Sequence, residues 1–392
     1  MPKTNLRNTN YEILISRKLS QLKVAIVCDW LTSIGGAERV VLALHELFPG
    51  APIYTSQYDP SEIDWFKNAN VKTTWLQGLP KQSTVRKLLP VLRRQAFEHL
   101  DLSDYDIVIS SSGAEAKAVK KLKPSALHIT YCHSPTHYYW QRYEEYLKEP
   151  GFGMLNPLAR NGLRILGGPM RKWDYKVAQR PDILIANSTH IQKKIKEYYN
   201  RDSVVIFPPV DTDRFTTPST NYQSPTPPRS GLVISGRQVP YKKIDLAVQA
   251  AIKLNLPLKV IGNGPMHEQL LALAHGHKNI QFLTNVSDAE MVQHINGAEL
   301  FLFPGIEDFG IAPVEALAAG TPVIAYGEGG ALDYVNSTTG ILFDAQNVDS
   351  LAQTITAGLA QKWDHVKIAD FAQKFNKEQF KSAVAEILSS AL

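Results

Sequence analysis

Two carboxylates, Glu307 and Glu315, bracket a glycine-bearing loop in the stretch Phe301–Ala325, FLFPGIEDFGIAPVEALAAGTPVIA, with seven residues between them. The stretch reads strand, loop, helix, turn, strand. Leu300–Phe303 is a short apolar run that suits a buried parallel strand, and Pro304-Gly305 breaks it. Pro313 suits the first position of a helix, where a missing N–H costs nothing. The spacing predicts that helix over Val314–Ala319, ended by Gly320 with Pro322 just beyond. Glu307, Asp308, Phe309, Gly310, Ile311 and Ala312 then fall where a strand ends and a helix begins. Open α/β sheets bind ligands there, and the free N–H groups of the helix start favour an anion such as a phosphate. Glu307 lies in the loop and Glu315 near the third helical residue, so the two can touch different parts of one elongated ligand. Singly, Glu315 reads as well as a helix-dipole glutamate, and Glu307 as a solvated loop acid. The string as a whole is far harder to reach by accident.

A second set of groups could hold the anion. Arg237 and Lys242 follow the apolar run Gly231–Ser235. A departing pyrophosphate gains charge as its ester bond breaks and needs fixed positive charge. Arginine forks to two phosphate oxygens, and lysine acts as a point charge. Gly262, Asn263 and Gly264 follow the run Leu258–Ile261, and Val286 follows Ile280–Leu283. Gly35 and Gly36 separate the apolar run Lys23–Asp29 from a periodic stretch, Val40–Phe48. A glycine pair allows close backbone approach to a phosphate, although by itself it more often marks a plain turn. His133 ends the run Leu127–Cys132 and precedes Ser134-Pro135, which holds the segment extended; a purely structural histidine fits the same position.

The elements that must position these groups alternate strand and helix through both halves, as in two doubly wound α/β domains facing a cleft. A chain of 392 residues, 44% hydrophobic and 20% charged, is long enough for two cores. We expect a flexible leader over 1–22, a first domain over 23–210, a second over 211–372 and a terminal helix in 373–392. The Pro-, Ser- and Thr-rich stretch Thr216–Ser230 reads as an exposed loop near the junction. No apolar run reaches 18 residues, so no membrane-spanning helix is expected. The polar first 22 residues do not read as a secretory signal. Cys28 and Cys132, the only cysteines, make no disulfide framework; they fit a reducing cytosol and the role of small buried hydrophobes. Two D-x-D triplets, Asp104–Asp106 and Asp211–Asp213, do not adjoin the phosphate loops, so no catalytic metal is expected.

Charge is unevenly spread. Lys and Arg number 30 against 21 Asp and Glu through residue 215, then 12 against 16. The basic half could meet an acidic membrane face or a pyrophosphate-bearing acceptor. The basic residues are scattered and no nucleic-acid module is visible, so nucleic acid is not expected as a partner. Tyr138, Trp140 and Arg142 open a region, running to Lys176, that is dense in aromatic and basic residues. It suits a membrane interface or a lipid-linked acceptor, or equally a pair of core-covering helices with solvated charges.

The string Glu307–Val323 resembles the E-x7-E motif of retaining glycosyltransferases of the GT-B fold, and looks most like glycosyltransferase family four. Gly236–Lys243 is similar to that family's Gly-Arg-x-x-x-x-Lys-Gly string, with Lys243 where glycine is usual and Lys242 on the basic position. Gly35-Gly36-Ala37-Glu38 resembles its Gly-Gly-x-Glu loop, and His133 matches a histidine set against the donor hexose. The resemblance is densest over 231–345 and rests on the glycine loop and His133 over 23–215. It implies hexose transfer from a nucleotide-sugar without a cofactor or metal. Arg237 and Lys242 would stabilise the departing diphosphate. Glu307 and the Phe309–Ile311 backbone would hold the sugar, Glu315 the ribose, and His133 would orient the hexose. Gly262–Gly264 and Val286 would lie beside the nucleotide, and Gly327–Gly330 near the phosphates, with Asp333 replacing the usual glutamate. The amino-terminal half looks closest to mannosyltransferases of bacterial O-antigen and exopolysaccharide assembly. That implies GDP-mannose as donor, a saccharide or lipid-linked saccharide as acceptor, and a cytoplasmic enzyme peripheral on the inner membrane face. It also implies a terminal helix crossing back onto the first domain. A UDP-sugar-dependent transferase of the same fold, a nucleotide-sugar epimerase and a catalytically silent nucleotide-sugar binder are the alternatives; sugar interconversion with donor alone would mark the epimerase.

Overall fold

A computed structural model describes residues 22–79, 90–120, 123–150, 153–215 and 228–392. The expected leader apart from Leu22, Phe152 of the aromatic and basic region, and most of the Thr216–Ser230 loop lie outside the described residues.

The chain divides into two compact units. One runs to Phe207 and takes in Phe380–Leu392; the other is Pro208–Gln379. In the first, the strands β1 (Val24–Cys28), β2 (Ile53–Thr55), β3 (Val71–Thr73), β4 (Ile107–Ser112), β5 (Leu127–Cys132), β6 (Ile183–Ala186) and β7 (Val204–Val205) form a parallel sheet in the order β3-β2-β1-β4-β5-β6-β7. Strands covered on both faces need side chains that tolerate burial on both, so they read as unbroken apolar runs; every residue of β1 is buried. The helices α1 (Gly36–Leu47), α2 (Pro90–Glu98), α3 (Tyr143–Lys148), α4 (Asn156–Val177) and α5 (Thr189–Tyr199) complete the alternation. Ser188 caps α5 by accepting from Ile191 N, as its side chain suits it to do.

In the second unit, β8 (Leu232–Ser235), β9 (Leu258–Ile261), β10 (Ile280–Leu283), β11 (Leu300–Phe303), β12 (Val323–Tyr326) and β13 (Gly340–Phe343) form a parallel sheet ordered β10-β9-β8-β11-β12-β13. Its helices are α6 (Ile244–Leu254), α7 (His267–Leu273), α8 (Asp288–Asn296), α9 (Ile311–Ala318), α10 (Val348–Ala360) and α11 (His365–Ala372). The last helix, α12 (Lys377–Ala391), gives Phe380, Val384 and Leu388 to a core of the first unit, beside Ile26, Val40 and Leu44.

One expectation is corrected. Helix α9 begins at Ile311, not Val314, so Pro313 is its third residue and Glu315 its fifth. The first four N–H groups of a helix lack intrahelical partners, so proline is tolerated throughout that turn. Strand β3 stops at Thr73, because the Thr74 hydroxyl accepts from Leu76 N and folds Trp75–Gly78 into a 3-10 turn. Both cysteines are buried, and burial pushes the Cys28 thiol up, away from thiolate.

Candidate functional site

The winding of the second sheet reverses between β8 and β11, and at such a point the loops diverge and leave a crevice. The loop after β8 carries Arg237 and Lys242; the loop after β11 carries Glu307 to Gly310. Across the switch point, Lys242 Nζ donates to Glu307 Oε1 at 2.5 Å, both side chains being four-fifths shielded from water. Gly305 makes this possible. A Cβ there would stand 2.6 Å from Tyr241 O and 2.7 Å from Lys242 Cα, so any larger residue would push the two loops apart.

Lys243 stands apart. It is the N-cap of α6 and holds φ +52°, the left-handed region that glycine enters without cost. That is the backbone reason the family string carries glycine there, and Lys242 is the lysine turned to Glu307. The preceding turn, Pro240–Lys242, is 3-10. Arg237 is exposed, and its guanidinium has no hydrogen bond or ion pair among the described residues.

The neighbouring loops are stitched to this pair. Gln238 N donates to Asn263 O at 2.9 Å and the buried Gln238 amide to Gly262 O at 2.8 Å, fixing Gly262, Asn263 and Gly264 beside the β8 loop. On the other side Gly330 N donates to Glu307 O at 2.9 Å. The Tyr334 hydroxyl, kept protonated by burial, donates to Phe309 O at 2.8 Å. Gly310 is the N-cap of α9 at φ +91° with no side-chain cap, and a Cβ would meet Tyr334 Oη at 2.7 Å. The N–H groups of Ile311 and Ala312 therefore open a helix that its glycine N-cap leaves without a side-chain cap. Glu315 is buried one turn further on; Asp308 is half-buried; Phe309 packs against Tyr334 and Phe375 with ring centroids 5.6 and 5.7 Å apart. Val286, half-buried, follows Asn285 at φ +55° and precedes the Ser287–Glu290 capping box of α8.

The first sheet reverses between β1 and β4, but a side chain fills that crevice. The Asp29 carboxylate accepts from the N–H groups of Gly113 (2.7 Å), Ala114 (3.0 Å) and Ala116 (2.7 Å). An internal carboxyl group thus takes the amides that a phosphate would use. Gly35, in extended backbone, is the N-cap of α1, which opens at Gly36 without a side-chain cap, and the buried Glu38 carboxylate already lies there, its Oε2 2.8 Å from where a Gly35 Cβ would stand. His133 lies at the carboxyl edge of the same sheet. Its Nε2 is 2.8 Å from Ser111 Oγ, and its carbonyl accepts from Asn187 Nδ2 at 2.9 Å.

The aromatic positions turn inward. The Tyr138 hydroxyl donates to the buried Glu115, which pairs with Arg93 at 2.7 Å. Trp140 Nε1 donates to the buried Asp174 at 2.7 Å, and Arg142 is half-buried ahead of α3. Sequence reasoning missed this polar layer of Asp29, Arg93, Glu115, Lys117 and Asp174. The one signal for it was charged residues set among small ones in Ser110–Ala118, which also fits a surface loop. Among the described residues no group of three or more His, Cys, Asp or Glu is clustered as a metal site would be, and no helix is long and apolar enough to cross a membrane.

The family model described as "Glycosyl transferases group 1" matches residues 226–379, and that described as "Glycosyltransferase Family 4" matches residues 34–214. The chain belongs to the family 4 glycosyltransferases. The first match covers the Lys242–Glu307 site and the second the glycine loop and His133. The chain is 27% identical over 230 residues to a GDP-mannose-dependent monoacylated alpha-(1-6)-phosphatidylinositol monomannoside mannosyltransferase of Corynebacterium glutamicum. It is 30% identical over 231 residues to a GDP-mannose-dependent alpha-(1-6)-phosphatidylinositol monomannoside mannosyltransferase of Mycobacterium tuberculosis. Each match takes in 53% of this chain and 57% of the relative, so it spans little more than half the length of either. Among solved structures, Anabaena Alr3699/HepE in complex with UDP and glucose matches with a TM-score of 0.64 at 19% identity, over 94% of this chain and all of that one. The chain thus has the two Rossmann-like domains of the GT-B fold.

Proposed function

We propose that this glycosyltransferase is a retaining, metal-independent enzyme that moves a hexose, mannose from GDP-mannose, to a saccharide or lipid-linked saccharide acceptor in cell-surface polysaccharide synthesis. The observation that carries this reading is the Lys242–Glu307 pair across the switch point of the second sheet. A diphosphate arriving there competes for the Lys242 ammonium. That frees the Glu307 carboxylate to accept hydrogen bonds from sugar hydroxyls. Arg237 adds a second cation, and the N–H groups opening α9 meet the anion. Glu315 takes the ribose hydroxyls, Gly262–Gly264 and Val286 border the nucleotide, and His133 orients the hexose. In the transfer, the bond from the anomeric carbon to the diphosphate oxygen breaks. A bond to the acceptor oxygen forms on the same face, and the acceptor proton passes to the departing phosphate. The two cations supply the charge compensation for which other enzymes recruit a divalent ion. GDP-mannose as donor is supported by the two named relatives, and the basic first half supports a peripheral place on the inner membrane face.

A thermal-shift panel of GDP-, UDP-, ADP- and dTDP-sugars tests the donor, since a bound ligand raises the melting temperature by mass action. GDP-mannose should stabilise most, and transfer should persist with a chelator present. Preferential stabilisation by a UDP-sugar would move the reading to a UDP-dependent transferase. Interconversion of the sugar without acceptor would move it to an epimerase.

A further inference from the structure

Helix α4 spans 22 residues, but its buried residues, Gly167, Met170, Trp173, Asp174 and Val177, all lie in its second half. The first half is held from one side by α3. Arg160 donates to Leu147 O at 2.7 Å and to Lys148 O at 3.1 Å, and Asn156 Nδ2 to Glu149 Oε1 at 2.8 Å. Its other side faces water. Met154 is 99% exposed, Leu155 61%, Leu158 72%, Ile165 73% and Leu166 48%. Single exposed apolar residues are ordinary on a protein surface. Met154 and Leu155, in the 3-10 turn just before α4, and Leu158, Ile165 and Leu166 in its first half form a patch that calls for a partner.

The charges around the patch identify the partner. Leu158, Ile165 and Lys172 follow at heptad spacing and share one stripe, which Lys176 extends. Arg164 is exposed beside Ile165. The one acid of α4, Asp174, is buried and paired with Lys117 at 2.8 Å, so it offsets none of this surface charge. The face is an apolar stretch flanked along α4 by the exposed cations Arg164, Lys172 and Lys176, while the exposed acids Glu144, Glu145 and Glu149 lie on the α3 side. A second copy of the chain would bring the same cations against themselves across a two-fold axis. An anionic bilayer instead satisfies both halves, acyl boundary for the apolar stretch and headgroup phosphates for the cations.

We propose that this face of α4 docks on an anionic lipid bilayer, with Met154, Leu158 and Ile165 entering the acyl boundary and Arg164, Lys172 and Lys176 on the phosphates. The proposal gives a surface to the membrane contact proposed above and rests on that reading for its meaning, but it is read out separately. The full chain is floated with phosphatidylcholine vesicles with or without phosphatidylglycerol. It should float with the anionic vesicles only, and less as salt rises. Leu158→Glu/Ile165→Glu should lower the bound fraction about 10-fold or more. Lys172→Glu/Lys176→Glu, which touches no apolar residue, should lower it by roughly the same factor at low salt. Unchanged melting temperature and unchanged transfer to a soluble acceptor would show both variants folded. Equal flotation with neutral vesicles, or undiminished flotation of both variants, would overturn the proposal. So would a dimer that disperses on Ile165→Glu while flotation is kept. Flotation without any transfer activity would sink the enzymatic reading and leave the docking surface standing.

Discussion

Lys242 and Glu307 are 65 residues apart in the chain and 2.5 Å apart in space, one from each loop flanking the sheet's switch point. Each holds the other's side chain in place, so the two should act as a unit. Lys242→Met and Glu307→Gln should each lower the rate of transfer by about 10²–10³, the loss typical of one preorganised charge at a transition state. The double variant should fall well short of the product of the two losses. Steady-state kinetics on the three variants checks this; strict multiplicativity would show that the pair is not functionally coupled.

The Asp174 carboxylate is saturated by donors. It accepts from Lys117 (2.8 Å), Thr136 (3.0 Å), Trp140 (2.7 Å) and Tyr199 (2.6 Å), all within the first unit. Asp174→Leu leaves a buried ammonium and three further donors without their acceptor, and should destabilise by about 3–5 kcal/mol. Lys117→Met removes one donor and leaves three in place, so its cost should be smaller. Urea unfolding of both variants gives the ranking; a larger loss for Lys117→Met would contradict it.

Glu98 gives the first unit an acid-sensitive contact. Burial pushes its carboxyl up, but hydrogen bonds from Trp173 (3.0 Å) and Arg180 (2.8 Å), with the charges of Arg180 and Arg94, outweigh burial and hold it below its ordinary value. A carboxyl with a lowered folded pKa binds protons more tightly in the unfolded chain. Its contribution is therefore full above the ordinary glutamate value of 4.5 and is lost as pH falls through the lower folded one. Melting temperature followed from neutral pH down through that window should fall more steeply in the wild type than in Glu98→Gln. Parallel curves would remove Glu98 from the account.

Much of the scaffold was legible in the residues themselves. Leu127–Cys132, Leu258–Ile261, Ile280–Leu283 and Leu300–Phe303 are strands with the limits that the apolar runs suggest. A parallel strand buried on both faces, as β5, β9 and β11 largely are, leaves that local signature whatever surrounds it, while the edge strand β10 is only partly covered. The loop motif around Glu307 was legible for a similar reason, because glycine, proline and the helix start are neighbours in sequence. Other features were decided only when distant segments met. Asp29 reaches amides 84 to 87 residues away and closes the first sheet's crevice. Tyr138 and Trp140 face buried carboxylates rather than solvent, and Lys242 rather than Lys243 meets Glu307. An apolar run carries its burial in its own composition. Which donor meets which carboxylate depends on loop approach across the sheet edge, and residues like Gly305 set that approach without any sign in the sequence around them.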